Sequence, residues 1–204
     1  MRVLYSQLES PVGILHLAST ERGLTAIALG ESSYAWLSRF RERVFPGSEL
    51  EPAGKAHERF ERELSEYFAG KRRLFDLPLD IRGTDFQKQV WAAVTQVPFG
   101  RTTTYATLAL LVDRPKSSRA VGGANGANPL PIVIPCHRVV GASGHLTGYG
   151  GGLPIKRWLL THEGVLRTGA VQMGLFNRTR PSRGAPFLDT GSGQTAKTQG
   201  GERS

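Results

Sequence analysis

The chain has a single cysteine among its 204 residues. One thiol cannot form an internal disulfide, which favours a reducing compartment in which a thiolate stays usable. No group of cysteine and histidine residues has the spacing of a zinc site, so we expect no bound metal. The sequence also lacks a signal peptide and an apolar run of about 18 residues, so we expect a cytoplasmic protein that does not enter a membrane.

Acidic residues are scarce in the second half of the chain. Residues 81–164 carry nine Lys and Arg against three Asp and Glu, whereas residues 1–80 carry eleven against twelve and residues 165–204 carry six against two. The formal net charge of +9 therefore arises beyond residue 80. A basic segment attracts a phosphate backbone by counterion release. Because basic segments are also commonly just solvated, charge alone supports nucleic-acid binding weakly.

The cysteine lies in the run Pro-Cys-His-Arg-Val at 135–139, directly after the apolar residues 131–134. A thiol is a good nucleophile only as thiolate, and an adjacent imidazole, a cation and a helix N-terminus are the usual means of lowering its pKa. His137 and Arg138 supply the first two. On this motif alone, Cys136 is either a nucleophile or a small buried hydrophobe that follows a β-strand.

Hydrophobic patterning predicts an α+β fold in two parts. Residues 1–82 are expected to form a small antiparallel-sheet domain with helices, and residues 83–166 a mostly helical domain with a short strand leading to the cysteine. In the first part, strands are predicted at 3–5, 13–17, 23–29 and 77–81, and helices at 34–44 and 56–68. Nothing in this part suggests chemistry; His16 is interpreted as a strand residue and His57 as an exposed helix residue.

Residues 167–204 are rich in Gly, Ser, Thr, Arg and Pro and contain few core formers. This composition cannot bury enough apolar surface to order a chain. We therefore predict a disordered basic tail.

The second part has the pattern of a helix-turn-helix. A capping box of Thr84 and Gln87 opens a first helix. Two short helices follow around a basic turn: 105–112, capped by Thr103 or Thr104, and a helix that ends at about 126, capped by Ser117 or Ser118. Such pairs also occur as plain packing units, so the pattern by itself leaves DNA binding open.

The last of these helices has almost no side-chain bulk, since residues 120–127 include three glycines and three alanines. Glycine destabilises a helix, so the small residues need a reason. Close approach to a nucleic acid is one explanation, and close packing against the segment before Cys136 is the other.

The motifs from Arg119 to Glu163 closely resemble those of the O6-alkylguanine-DNA alkyltransferases of bacterial type, also called methylated-DNA–protein-cysteine methyltransferases. The matching segments are Arg119–Gly122, Asn128–Pro129, Pro135–Val139, Gly148–Leu153 and Lys156–Gly164. The resemblance is strong over 83–164 and weaker over 1–82, and it does not extend to the tail. It implies DNA repair without a cofactor, in which an alkyl group moves irreversibly from O6-alkylguanine, and also from O4-alkylthymine, to the cysteine.

The resemblance also implies catalytic roles. Cys136 is the nucleophile and His137 the base that takes its proton through a water. Glu163 orients His137 and stabilises its charged form, as the third member of a catalytic triad does. Asn128 braces the turn that holds the cysteine. Without the resemblance, Glu163 would be interpreted as a surface residue at a helix end.

DNA-binding roles follow from the same match. Arg119 is the arginine finger, the side chain that fills the gap in the base stack when the target base rotates out. Tyr105 helps to turn the phosphate of the target nucleotide. Ser118, Ala120 and Gly123 lie on the helix that enters the minor groove.

Pocket roles are implied as well. Tyr149 bonds the guanine ring nitrogen, and the carbonyls of Cys136 and Val139 accept from its amino group. Gly150 offers its N–H to O6, where some relatives carry a serine.

The implied partner is double-stranded DNA that contains O6-alkylguanine, bound by a monomer that needs neither a membrane nor an obligate protein partner. Two alternatives stay open. A Cys-His-Glu hydrolase would turn over repeatedly and leave the small helix unexplained. A helix-turn-helix transcription regulator would bind a defined sequence, usually as a dimer, and would not need Cys136.

Overall fold

The computed structural model describes residues 1–167 and 170–171. Its architecture is α+β, as predicted: a four-stranded sheet with two helices comes first, and four helices with two-residue strands follow. The elements are β1 (Val3–Leu8), β2 (Leu15–Thr20), β3 (Gly23–Ala28), α1 (Ser33–Val44), β4 (Leu50–Pro52), α2 (Glu58–Phe68), α3 (Asp85–Thr95), β5 (Thr103–Thr104), α4 (Tyr105–Leu111), α5 (Ser118–Gly126), β6 (Val139–Val140), α6 (Leu153–His162), β7 (Leu166–Arg167) and β8 (Ala170–Val171).

The sheet has the order β3-β2-β1-β4. The first three strands pair antiparallel, but β4 pairs parallel with β1. The predicted antiparallel sheet is present in β1, β2 and β3, whereas the parallel edge strand β4 is not predicted, because a three-residue strand shows no alternation to detect. Residues 77–81 also do not form the predicted strand. Leu79 makes one isolated bridge with Leu24, and Pro78 has no N–H to extend a ladder.

The main hydrophobic core draws on both parts of the chain. Leu17 and Ile27 of the sheet pack in one cluster with Trp91 of α3, Val121 of α5 and Ile134, and each is at most 1% exposed. Burial of side chains this large stabilises the arrangement by about 1.5–3 kcal/mol each. The sheet is thereby fixed against the helices that carry the cysteine.

His57 is fully buried, so its interpretation as an exposed residue is wrong. It ends a 3₁₀ turn, Gly54–His57, that precedes α2. Its two ring nitrogens contact the hydroxyls of Ser6 and Ser19, each at 2.8 Å. The polar ring is buried because both nitrogens have partners. His16 lies on β2, as predicted.

The predicted helix-turn-helix forms from α4 and α5, which pack against each other. Thr84 and Gln87 make both bonds of the predicted capping box on α3, and the side chain of Thr104 caps α4. Ser117 occupies the N-cap position of α5, but its side chain makes no capping hydrogen bond. The helix starts are therefore as predicted, although the capping bond of α5 is absent.

The apolar residues before Cys136 form a tight turn and not the predicted strand. Pro131 bridges Ile134, and Ile132 has a left-handed φ of +75°. The prolines at 131 and 135 have no N–H to donate, so the segment cannot pair as a regular strand. The nearby strand, β6, instead follows the cysteine and pairs parallel with β5.

A two-residue ladder of β7 with β8 crosses the predicted boundary at residue 166. The rest of the predicted disordered tail lies outside the described residues. Within the part of the chain that the structure describes, no helix is long and apolar enough to cross a membrane.

Gly23 is a position where the fold requires glycine. Its φ is +135°, and a Cβ there would lie 2.2 Å from the carbonyl oxygen of Pro78. Gly23→Ala should lower the free energy of unfolding by about 2–5 kcal/mol, because it combines left-handed strain with an overpacked contact. Urea denaturation measures the loss.

Gly13→Ala is the matched control, since Gly13 has a φ of +98° but no described atom within 4 Å of the added Cβ. It should show the backbone strain alone. Equal losses in the two variants would mean that the close approach to Pro78 contributes nothing.

Candidate active site

Cys136 begins a one-turn 3₁₀ helix, Cys136–Arg138. Its side chain is 6% exposed and lines a cavity of ≈ 750 Å³. The cavity walls come from the loop after β3, the end of α5 and the glycine-rich loop 148–152. The cysteine is thus buried but faces a space large enough for a small-molecule-sized group.

Asn128 holds the turn before the cysteine, which is the position that the sequence predicts for it. Its side-chain oxygen accepts from the N–H of Leu130 at 2.9 Å, and its amide donates to the carbonyl of Ile134 at 2.8 Å. These bonds replace the strand pairing that the prolines prevent.

The thiol is protonated at rest. Burial raises the pKa of Cys136 to about 11, although a hydrogen bond from Asn128, the charge of Lys156 and the N–H groups of the 3₁₀ turn lower it in part. A neutral thiol is a weak nucleophile, so reaction requires a base.

His137, the next residue in the chain, is the candidate for that base. Its ring is fully buried, and Nε2 lies 2.8 Å from Oε1 of Glu163. Burial lowers the pKa of His137, against the opposing effect of Glu163, so the ring is neutral near pH 7. An ionised carboxylate only accepts, which assigns the proton to Nε2 and the lone pair to Nδ1. Nδ1 has no hydrogen-bond partner among the described residues.

Glu163 follows α6 and is 4% exposed, so the interpretation as a surface residue at a helix end does not hold. Arg138 donates to both of its oxygens, at 2.8 and 2.9 Å, and the N–H of Gly100 donates at 3.3 Å. Burial opposes ionisation, but the hydrogen bonds from His137 and Arg138 and the charge of the Arg138 guanidinium outweigh it and hold the pKa of Glu163 well below its usual range. The carboxylate is therefore an anion under all ordinary conditions.

Arg138 does not serve the thiol as predicted, because its guanidinium is bound to Glu163 and to the carbonyl of Val97. The cation that acts on the thiol is Lys156. Lys156 is fully buried, and its ammonium donates to the carbonyls of Val139 and Thr147 at 2.6 and 2.7 Å. Burial lowers its pKa to about 8.

Sequence reasoning misses Lys156 because lysine is rarely buried. Its place three residues before the buried Leu159 of α6 is the signal that could have found it, since residues three apart share a helix face. Tyr67 is missed as well. Its hydroxyl donates to Oε1 of Glu163 at 2.8 Å, so the view that residues 1–82 stay apart from the chemistry is wrong.

Tyr149 and Gly150 lie on the cavity that Cys136 lines. The hydroxyl of Tyr149 is buried and has no partner among the described residues. A buried hydroxyl without a partner costs free energy, which suggests a ligand partner. The Val139 carbonyl accepts from Lys156 at 2.6 Å. The roles of these residues toward a base stay predictions.

The predicted DNA-contacting residues lie together at the start of α4 and along α5. Arg119, Ala120 and Gly123 are exposed, and Ser118 and Tyr105 are half-buried. A Cβ at Gly123 would meet no described atom within 4 Å, and one at Gly122 would make only an ordinary contact with the Tyr105 ring at 3.7 Å. Packing within the fold therefore does not explain the glycines at 122 and 123.

A helix-turn-helix and a cavity with a buried cysteine, histidine and glutamate occur here in one chain. This combination is the one expected of a DNA-binding protein that uses a cysteine as nucleophile. The comparisons with known proteins identify the class further.

Two family profiles match the chain. The ribonuclease-like domain of 6-O-methylguanine DNA methyltransferase matches residues 3–81, and the DNA binding domain of the same family matches residues 85–165. A methylated-DNA–protein-cysteine methyltransferase of Mycolicibacterium paratuberculosis is 42% identical over 164 residues, which are 78% of this chain and 91% of that protein. The chain belongs to the 6-O-methylguanine DNA methyltransferase family, as its motifs predict.

Solved structures agree with the α+β fold. The crystal structure of a Mycobacterium tuberculosis O6-methylguanine methyltransferase is 42% identical, covers 82% of this chain and 96% of its own, and has a TM-score of 0.69. A structure of Mycobacterium tuberculosis OGT in complex with DNA is 40% identical, covers 80% and 92%, and has a TM-score of 0.67.

Glu163→Gln should lower the free energy of unfolding near neutral pH by about 3–5 kcal/mol, because it leaves the buried Arg138 unpaired. A carboxyl whose pKa is lowered by folding stabilises the folded state above its ordinary value of 4.5 and loses that contribution as the pH falls. The difference between wild type and variant should therefore shrink below this pH. Urea denaturation across the acid range measures it.

Glu21→Gln, at an exposed turn position, is the matched control. A difference between wild type and Glu163→Gln that stays constant down to about pH 3 would contradict the assignment of Glu163 as a stabilised anion.

Proposed function

We propose that this chain repairs DNA by moving an alkyl group, typically methyl, from O6 of guanine to the sulfur of Cys136. The new bond joins Sγ to the alkyl carbon. The bond from that carbon to O6 breaks with its electron pair on guanine, which takes up a proton. The observation that carries the proposal is the cavity that Cys136 shares with the Tyr149 hydroxyl, which has no partner within the described part of the chain.

His137 activates the thiol in this mechanism. Its Nδ1 lone pair takes the proton of Cys136 through a water, while Nε2 stays bonded to Glu163. The fixed carboxylate stabilises the imidazolium as it forms, without any rearrangement of the site. The charge of Lys156 favours the thiolate over the same step.

The target base must leave the duplex before it can react. An alkyl group on O6 lies within the stack, so in-line attack by sulfur requires the base in a pocket, and its extrusion costs a few kcal/mol. In the pocket, Tyr149 bonds the ring nitrogen and the carbonyls of Cys136 and Val139 accept from the amino group. The N–H of Gly150 donates a hydrogen bond to O6. The same geometry would take O4-alkylthymine.

The partner is double-stranded DNA that contains the lesion. Ala120 and Gly123 let α5 approach the minor groove, in keeping with the open space around Gly123. Arg119 fills the gap that the rotated base leaves. Ser118 at the start of α5 and Tyr105 at the start of α4 contact the phosphates of the target strand. The basic charge of residues 81–164 adds attraction that is independent of sequence.

We further propose that residues 1–82 and 83–166 are two domains, with 167–204 as a tail, and that the protein works in the cytoplasm as a monomer without a cofactor. The two family profiles meet close to this boundary, between residues 81 and 85.

One experiment separates this function from the alternatives. The protein is mixed with a duplex that carries labelled O6-methylguanine, and the moles of alkyl group transferred per mole of protein are measured. Repair of this kind should stop at one, because a thioether is a poor leaving group and the chain has no second thiol. A hydrolase would continue beyond one, and a transcription regulator would transfer none.

Cys136→Ser should abolish transfer but leave the affinity for undamaged duplex within about twofold, because the exposed face of α5 does not include the thiol. A filter-binding assay and label counting measure the two properties. A serine variant that still acquires label from alkylated DNA would show that the nucleophile lies elsewhere.

Arg119→Ala should slow the repair of duplex DNA by about tenfold or more, because the cost of rotating the base out is no longer offset. The reaction with free O6-benzylguanine, which needs no rotation, should keep its rate. Second-order rate constants on the two substrates test this. Equal losses of rate on both substrates would show that Arg119 does not fill the gap left by the rotated base.

A further inference from the structure

Tyr67 lies on α2, in the part of the chain that carries no reacting group. Its hydroxyl nevertheless contacts Glu163, the partner of His137. It donates to Oε1 of Glu163 at 2.8 Å, and both side chains are buried. Oε1 is the same oxygen that accepts from Nε2 of His137. The first part of the chain is therefore linked to the base through two hydrogen bonds that share Oε1 of Glu163.

The Tyr67 bond is not needed to hold the carboxylate in place. Arg138 binds both oxygens of Glu163, and the N–H of Gly100 adds a further bond to Oε2. Nor does the ring depend on the bond, because it packs against Phe75 and Phe99, among other rings. The hydroxyl bond thus acts on the electron density of Oε1 more than on the position of Glu163.

The effect of that bond on His137 has a definite sign. A carboxylate oxygen that accepts several hydrogen bonds has its negative charge spread over all of the donors. Less charge is then available to stabilise an imidazolium at His137, so the imidazole is a weaker base than it would be beside Glu163 alone. Removing one donor should strengthen the base.

We propose that Tyr67 acts on the alkyl transfer through Glu163, and that its hydrogen bond to Oε1 sets the basicity of His137. The consequence for the rate of alkyl transfer rests on the proposed function. The effect of Tyr67 on the basicity of the His137 imidazole does not depend on that function. The charged groups that act on His137 are Glu163, Arg138 and Lys156, Cys136 is its neighbour in the chain, and Tyr67 reaches it through Glu163. The other titratable group against Tyr67 is His162, whose ring centroid lies 5.2 Å from that of Tyr67. Of these, Tyr67 alone comes from the first part of the chain.

Tyr67→Phe in the full chain tests the proposal, because it removes the hydroxyl and keeps the ring. The titration midpoint of His137 is followed by NMR of its ring, assigned by comparison with His137→Gln. The midpoint should rise by about half a unit to one unit. The acid limb of the rate of benzyl transfer from O6-benzylguanine should move to higher pH by the same amount. A loss of folding stability alone would move neither.

Tyr5→Phe is the matched control, because it removes a hydroxyl that also bonds a histidine, His16, at 2.6 Å but does not line the cavity. It should leave the His137 midpoint unchanged. Should Tyr67→Phe fold poorly, 3-fluorotyrosine at position 67 provides a stronger donor of nearly the same shape and should lower the midpoint.

An unmoved His137 midpoint in the Tyr67 variants would overturn the proposal, and so would a rate that falls equally at every pH. A wild-type chain that transfers no benzyl group would instead refute the proposed function. The NMR titration still decides the role of Tyr67 in that case.

Discussion

The buried carboxylate of Glu163 is the interaction on which the rest of the site depends. It receives hydrogen bonds from the 3₁₀ turn of the cysteine, from α2 and from the loop at Gly100, and it terminates α6 itself. Burying a lone carboxylate would cost several kcal/mol, so the anion is tolerable only while all of these segments are in place. The same bonds that offset its burial therefore fix the base beside the nucleophile.

Burial also keeps the thiol of Cys136 unreactive while no substrate is bound. It raises the pKa of Cys136 and lowers those of His137 and Lys156, so it works against each charged form that the reaction needs. A thiol held this way resists unwanted oxidation or alkylation, because only the thiolate reacts readily. In return, the reactivity of the thiol depends on neighbouring groups that are held in place. Lys156 is one of them, since its ammonium bonds both the carbonyl of Thr147 and that of Val139 in β6.

The exposed face of α5 follows a different constraint. Glycine within a helix costs up to about 1 kcal/mol relative to alanine, and the space around Gly123 would admit a larger residue. The fold gains nothing from a glycine at 123. The lost stability is understandable when the helix must approach a surface outside the protein, while its buried side chains, Val121 and Ala124, join the common core of both parts.

The sequence by itself determined the fold class, the helix start at Thr84 and the family, and it narrowed the next helix start to Thr103 or Thr104, because caps, periodicity and short motifs are local features. It did not determine the turn before Cys136, where two prolines and a left-handed Ile132 override an apolar run that resembles a strand. Only the tertiary structure decided that Arg138 pairs with Glu163 and that Lys156 and Tyr67 reach the site. Those contacts join residues up to 96 positions apart, and no local pattern encodes such distances.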